Sequence, residues 1–228
     1  MLNRPHPKIL IMTAVEAEQQ AVQRGLGSFG SADVELAGVG PASAAAATAT
    51  ALARASQVAD GDGAYSLVVS AGIGGGFAGV ADIGSLVVAS EIIAADLGAE
   101  TPDGFAGVDE LGFGSPRIAV ADELSSRWAA SLREAGLPVH HGPILTLSTV
   151  TGTAETARVL AERYPGAGAE AMEGFGVAEA ARQFGVPVLE LRAISNAVGP
   201  RQRELWKIGD ALQALEQACA KLPEVLQS

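Results

Sequence analysis

Apolar positions along this chain fall in short dense runs separated by amphipathic stretches, and that spacing sets the expected elements. Residues 8–13 (KILIMT) fit a buried strand, and the strong helix formers of residues 16–21 follow directly. Residues 34–37 read as a second strand, after which Gly38-Val39-Gly40-Pro41 turns the chain into the alanine-rich segment 42–55. Pro41 suits a first helical turn, and a helix of small side chains can lie close against a sheet. Asp60-Gly61-Asp62-Gly63 reads as a loop, residues 65–71 as a third strand entering a glycine turn at 72–76, and residues 85–90 as a fourth strand. Residues 96–114 carry glycines, acids and scattered apolar side chains, the pattern of a surface excursion that often covers a site. Helices are expected at 121–135, 153–164, 174–184 and 206–221, with a strand at 143–147. Strands alternating with helices imply an α/β fold with a largely parallel sheet covered on both faces. With no repeat and no interdomain linker, the expectation is one domain over residues 1–228.

One further apolar run, residues 188–194, ends in Ser195-Asn196 and is bounded by Pro187 and by Gly199-Pro200. In an open α/β sheet, ligands bind beyond such strand ends. A core strand can also end in a polar turn without any ligand, so the pair gains meaning only from its company.

Composition narrows the classes. Fifteen basic against 26 acidic residues give a net charge of -11, which argues against nucleic acid or an anionic membrane as the partner. The single cysteine, Cys219, excludes an internal disulfide and suits a reducing cytoplasm. No signal peptide is expected, and the most apolar region, 67–99, is interrupted by glycines, Asp82 and Glu91, so it is a poor membrane span. The expectation is a soluble, cytoplasmic protein.

Candidate chemistry is sparse. Gly74-Gly75-Gly76-Phe77-Ala78-Gly79 matches G-x-G-x-x-G, but that fingerprint needs a helix opening directly after the glycines, and here a turn and a strand are expected. His6, His140 and His141 form no metal-ligand pattern, and neither a Walker loop nor a nucleophile elbow is present, so no metal or organic cofactor is expected. Glu16 and Glu18 follow the first strand, where an acid commonly just complements the helix dipole. Glu173, in Met172-Glu173-Gly174, stands at another helix start and has the same two readings.

Together these pieces carry a resemblance. Residues 8–18, Ser70-Ala71-Gly72-Ile73-Gly74-Gly75-Gly76, Met172-Glu173, the run from Arg192 to Arg201 and Trp206 occur in the order found in the nucleoside phosphorylase and nucleosidase superfamily, and the chain most closely resembles its futalosine hydrolase family. The resemblance implies a three-layer sandwich with a mixed, mostly parallel sheet flanked by helices. It also implies a small-molecule nucleoside substrate, N-glycosidic hydrolysis releasing hypoxanthine, and a homo-oligomer in which a partner loop closes the site. Glu18 is then the group that activates water, Glu173 holds the ribose hydroxyls, and Met172 packs under the sugar. Gly72, Val150, Thr151, Gly152 and Ser195 fall among the substrate contacts, Asn196 meets the base, and Trp206 lies near the ribose and its 5′ substituent. Arg201, or less favourably Arg203, is the candidate cation for a 5′ aryl carboxylate.

Departures from the pattern sharpen this expectation. Adenine-releasing nucleosidases carry Asp where this chain has Asn196; an amide cannot protonate a base but can donate an N–H to N7 or O6 of a 6-oxopurine. Ala171 stands where nucleosidases often have another glutamate; Glu170 is displaced by one residue and is expected to point to the opposite face of its strand, outside the site. Phosphorylases with an arginine just before the glycine run would need it at Ser70, so water is the expected nucleophile. The alternatives are a methylthioadenosine nucleosidase or inosine phosphorylase of the same fold, a purine-binding protein without catalysis, and a nicotinamide-dependent oxidoreductase.

Overall fold

A computed structural model describes residues 8–57 and 64–227; the loop expected at Asp60–Gly63, like His6, lies outside the described residues. The elements in chain order are β1 (Ile9–Thr13), α1 (Glu16–Leu26), β2 (Ala32–Leu36), α2 (Pro41–Ser56), β3 (Leu67–Gly76), β4 (Leu86–Ala94), β5 (Gly98–Thr101), β6 (Gly104–Gly107), β7 (Arg117–Ala119), α3 (Asp122–Glu134), β8 (Val139–Thr146), α4 (Ala154–Arg163), β9 (Ala169–Ala171), α5 (Gly174–Gln183), β10 (Val188–Ala197) and α6 (Ile208–Gln227). A short 3-10 turn, Arg203–Leu205, precedes α6.

The sheet is mixed and mostly parallel, as the sequence leads one to expect. β1 pairs in parallel with β2 and β3, β3 with β10, and β4 and β9 with β8, whereas β10–β4, β3–β9 and β4–β7 are antiparallel. Because β3 pairs with both β10 and β9, the strands β3, β10, β4, β8 and β9 close on themselves. Closure gathers the ends of β3, β9 and β10 around one opening.

Two strands run further than their apolar runs suggest. The glycines expected to make a turn are strand residues, since β3 continues to Gly76. Their missing side chains explain this: a Cβ on Gly74 would lie 2.8 Å from the Glu170 carbonyl oxygen, and one on Gly76 would collide with the Ala81 carbonyl. Likewise β10 does not stop at Ile194 but carries Ser195 and Asn196 within it, with a bulge between Ile194 and Asn196. Bulges re-aim side chains at the rim of a sheet.

Helices cover the sheet with small or periodic faces. α2 buries Ala44, Thr48, Ala51 and Leu52, the spacing of one helical stripe, and packs mainly on α5 rather than on the sheet. Gly176 of α5 has no room for a side chain against the Pro41 backbone, so the alanine content serves a close helix–helix contact. α6 buries Ala211, Leu215, Ala218, Cys219, Leu222 and Val225, and Trp128 of α3 donates its ring N–H to the Ala218 carbonyl at 3.1 Å. Each fully buried Leu or Ile in this core contributes about 1.5–3 kcal/mol relative to an exposed one. Residues 96–114 are not structureless: they contain the β5–β6 hairpin, where Phe105 stacks under Arg163. No described helix is long and apolar enough to cross a membrane.

Candidate active site

A cavity of about 320 Å³ opens where β3, β9 and β10 end. That volume is at the lower end for small-molecule sites. Its wall takes Glu18 from α1, Ile73 to Gly75 from β3, Val150 and Thr151 from the β8–α4 loop, Glu170 to Glu173 around β9, Ser195 and Asn196 from β10, and Arg201 and Trp206 beyond it.

Glu18 is 3 % exposed and fixed by backbone donors. Its Oε2 accepts from the N–H groups of Ala14 at 2.9 Å and Val15 at 3.2 Å, and Oε1 accepts from Ile73 at 2.9 Å. A carboxylate offers about four acceptor sites, so one remains for a ligand or water. Burial raises the Glu18 pKa above the ordinary glutamate value; Arg192 and the backbone donors oppose that shift, and Glu173 adds to it. Glu16, by contrast, is exposed on the outer side of the same helical turn.

Glu173 caps the start of α5 and is also buried. Its Oε1 accepts from Gly40 N–H at 3.2 Å, and Oε2 accepts from Arg192 Nη1 at 3.3 Å. Arg192 lies beneath both acids with its side chain 1 % exposed, donating also to Glu190 Oε1 at 2.9 Å and to Ser70 Oγ at 2.9 Å. One guanidinium thus serves three carboxylates, Glu18, Glu173 and Glu190, and the cluster keeps an excess of acid. Burial pushes Glu190 upward too. Arg192 therefore stands beside Ser70 with three of its five N–H groups engaged inside the buried cluster.

At the other end of the wall, Ser195 Oγ donates to Asn196 Oδ1 at 2.8 Å and also lies 3.2 Å from the Gly74 carbonyl, while Asn196 Nδ2 donates to the Ala197 carbonyl at 3.0 Å. Turning the amide over would set its oxygen against the Ala197 carbonyl, so the N–H side is held in place. One amide hydrogen stays available to a ligand.

The predicted residues Glu18, Val150, Thr151, Met172, Glu173, Ser195, Asn196, Arg201 and Trp206 all meet on this cavity; Gly72 and Gly152 are not on its wall. Gly72 instead lies under the acids, where a Cβ would stand 2.6 Å from Glu18 Oε1 and 2.7 Å from Arg192 Nη1. Gly152 sits beside the stem of Arg201, whose Cγ would lie 3.9 Å from a Cβ built on the glycine. Arg201 stacks at 5.2 Å over Trp206, with Arg203 at 5.9 Å, and Arg201 forms no ion pair among the described residues. Residues 96–114 do not line the cavity.

Two site residues correct the sequence reading. Glu170, expected on the opposite face, lines the cavity, because β9 is only three residues long and sits between β3 and β8 with both its faces buried. It accepts from Thr151 N–H at 2.8 Å and from the Thr151 hydroxyl, and burial raises its pKa against those hydrogen bonds. Arg192 had no expected role. Its signal was present as Glu190 and Arg192 at i and i+2 of an apolar strand, an acid and a base on one buried face. Among the described residues no cluster of His, Cys, Asp or Glu is arranged to hold a metal.

Comparison with known proteins places these features in a family. The Phosphorylase superfamily matches over residues 21–228. A futalosine hydrolase of Streptomyces coelicolor is 52 % identical, covering 96 % of this chain and 97 % of its own, and one from Acidothermus cellulolyticus is 48 % identical over 94 % and 90 %. The fold matches the native structure of a futalosine hydrolase of Helicobacter pylori with a TM-score of 0.76 at 19 % identity, covering 97 % of each chain. The chain belongs to the futalosine hydrolase family of the Phosphorylase superfamily.

Proposed function

We propose that this enzyme hydrolyses the N-glycosidic bond of futalosine, releasing hypoxanthine and leaving dehypoxanthinyl futalosine, as a step of menaquinone biosynthesis in the cytoplasm. The observation that carries this reading is one cavity with buried, backbone-anchored Glu18 beside Glu173 at one end and the fixed amide of Asn196 at the other. Bond cleavage builds positive charge on the ribose and negative charge on the departing purine, and the two ends of the cavity match those signs.

The roles follow from the contacts. Water bound to the remaining acceptor site of Glu18 attacks C1′ and passes its proton to that carboxylate; the raised pKa favours this transfer near neutral pH. Glu173, held by Gly40 and Arg192, accepts from the ribose hydroxyls, and Met172 packs under the ring. Arg192 positions both acids. Asn196 donates one N–H to N7 or O6 of the leaving base and transfers no proton, so hypoxanthine, whose anion is more stable than that of adenine, is the base it suits. Arg201, unpaired with any described acid and stacked on Trp206 at the mouth, receives the 5′ aryl carboxylate. The proposal includes a homo-oligomer, as the family resemblance implies.

Selectivity tests the reading. The enzyme and its Asn196→Asp variant are incubated with futalosine, inosine and methylthioadenosine, and the released bases are separated by chromatography. Wild type should prefer futalosine, and Asn196→Asp should shift preference toward adenine release. Unchanged base selectivity in the variant would contradict the role of Asn196, and preference of wild type for methylthioadenosine would contradict the substrate.

A further inference from the structure

The mechanism above gives Arg192 a task but leaves unused the carboxylate that touches it most closely. Glu190, two residues earlier on β10, is 0 % exposed; its Oε1 accepts from Arg192 Nε at 2.9 Å, while Oε2 has no hydrogen-bond partner among the described residues. A buried ion pair contributes little net stability, because desolvating both charges offsets their attraction. An apolar side chain would suit this place in the sheet at least as well, so a carboxylate here calls for another reason.

Register puts Glu190 opposite Ser70 and Arg192 opposite Gly72 of β3, so the four share one face of the sheet. Two glycines make room for the charges: a Cβ on Gly72 would stand 2.7 Å from Arg192 Nη1, and one on Gly174 would collide with both Glu190 oxygens. The Glu190 carboxylate thus rests on the first residue of α5, where a helix N-terminus favours negative charge. Its contact with Arg192, at 2.9 Å, is shorter than that of Glu173, at 3.3 Å, and attraction between charges grows as they approach. The ionisable groups that face Glu190 are Arg192 on its own strand and Glu173 at the start of α5. Glu18 of α1 meets the same guanidinium near Nη1, over Gly72, and β3 supplies no titratable side chain. Glu190 is not on the cavity wall, so it reaches the reaction only through Arg192.

We propose that Glu190 is a positioning residue that stays ionised, fixes Arg192 by its Nε–H and takes up enough of the guanidinium charge to keep Glu18 basic. Were Arg192 to face only Glu18 and Glu173, its charge would stabilise their ionised forms further, and Glu18 would accept a proton from water less readily. The extra carboxylate also leaves the cluster with more negative charge near the ribose, where positive charge develops as the bond breaks. This inference rests on the reading of Glu18 as the base of N-glycosidic hydrolysis, and it names the group that sets the strength of that base.

The test is the pH profile of kcat/KM for futalosine in wild type and Glu190→Gln, with kcat and KM separated. Glutamine keeps an oxygen for Arg192 Nε and removes the charge. The acid limb should move down by roughly one pH unit, and kcat near neutral pH should fall roughly tenfold with KM changed less than about twofold. The limb decides: a role in packing alone would lower Tm and leave it in place, so an unmoved or raised limb overturns the proposal. Should Glu190→Gln fail to fold, Glu190→Asp takes its place, because it keeps the charge but draws it back from Nε by one methylene. The limb should then move the same way by a smaller amount and kcat should fall, whereas an unmoved limb with wild-type kcat overturns the proposal. These outcomes separate from those of the substrate assignment: futalosine cleavage by wild type with an unmoved limb in the variant sinks only the role of Glu190. A lowered limb measured on methylthioadenosine, in an enzyme that does not cleave futalosine, sinks only the assignment.

Discussion

At the scale of single residues, the site works by anchoring a few ionisable groups in surroundings that change their chemistry. Glu18 is the central case: three backbone N–H groups fix it, and burial lifts its pKa from the ordinary 4.5. Replacing it by Gln keeps the shape and removes the base, so kcat should fall roughly 10²- to 10⁴-fold with KM little changed; wild-type turnover would exclude Glu18 as the base. The pH profile carries the sign of the shift. A base must be ionised to act, so activity is lost as pH falls through its pKa, and the acid limb of kcat/KM should lie above pH 4.5. Glu170 is raised by burial as well, so the limb should persist in Glu170→Gln; its disappearance there would reassign it. Glu18, Glu173 and Asn196 were singled out in the sequence by the family resemblance, because an acid at a helix start or a polar pair after an apolar run has an ordinary structural reading on its own. Arg192 and Glu170 were not, because their meaning depends on neighbours from distant parts of the chain: Ser70 and Glu173 for one, Thr151 and Gly75 for the other.

At the scale of elements, the period of apolar residues located most strands and helices within a few positions, and it failed where glycine and polar residues belong to strands. β3 runs through Gly76 with Gly72, Gly74 and Gly76 each against a neighbouring backbone or an ionic side chain that leaves no room for a Cβ. Sequence spacing reads such a run as a turn, since the crowding that explains it is tertiary. Gly76→Ala should therefore destabilise the fold by about 1–3 kcal/mol, lowering Tm by roughly 3–10 °C for a chain of this size, because the new methyl meets the Ala81 carbonyl. An unchanged Tm in calorimetry would show that β3 has slack. The alanine-rich α2 was legible as a helix, but its partner, α5, was not. Small side chains signal a close approach without saying to what.

At the scale of the whole molecule, closure of β3, β10, β4, β8 and β9 into a ring is what brings residues from Glu18 to Trp206 to one opening. The order of elements suggested a sheet with helices on both faces; the ring comes from antiparallel pairings that strand–helix alternation does not encode. The long helix α6 locks the layers from outside through Trp128 and buries Cys219 completely, pushing its thiol pKa up to about 12. Thiol labelling of the native protein should accordingly be slow and should keep pace with global unfolding as denaturant is added; rapid labelling of the native state would mean that α6 detaches locally. The most direct measurement of the central claim is the rate of hypoxanthine release from futalosine by phosphate-free enzyme, followed by chromatography as phosphate is added. Hydrolysis predicts hypoxanthine and the free sugar in equal amounts at a rate independent of phosphate. Release that requires phosphate and yields a sugar 1-phosphate, or no release from futalosine at all, would contradict it.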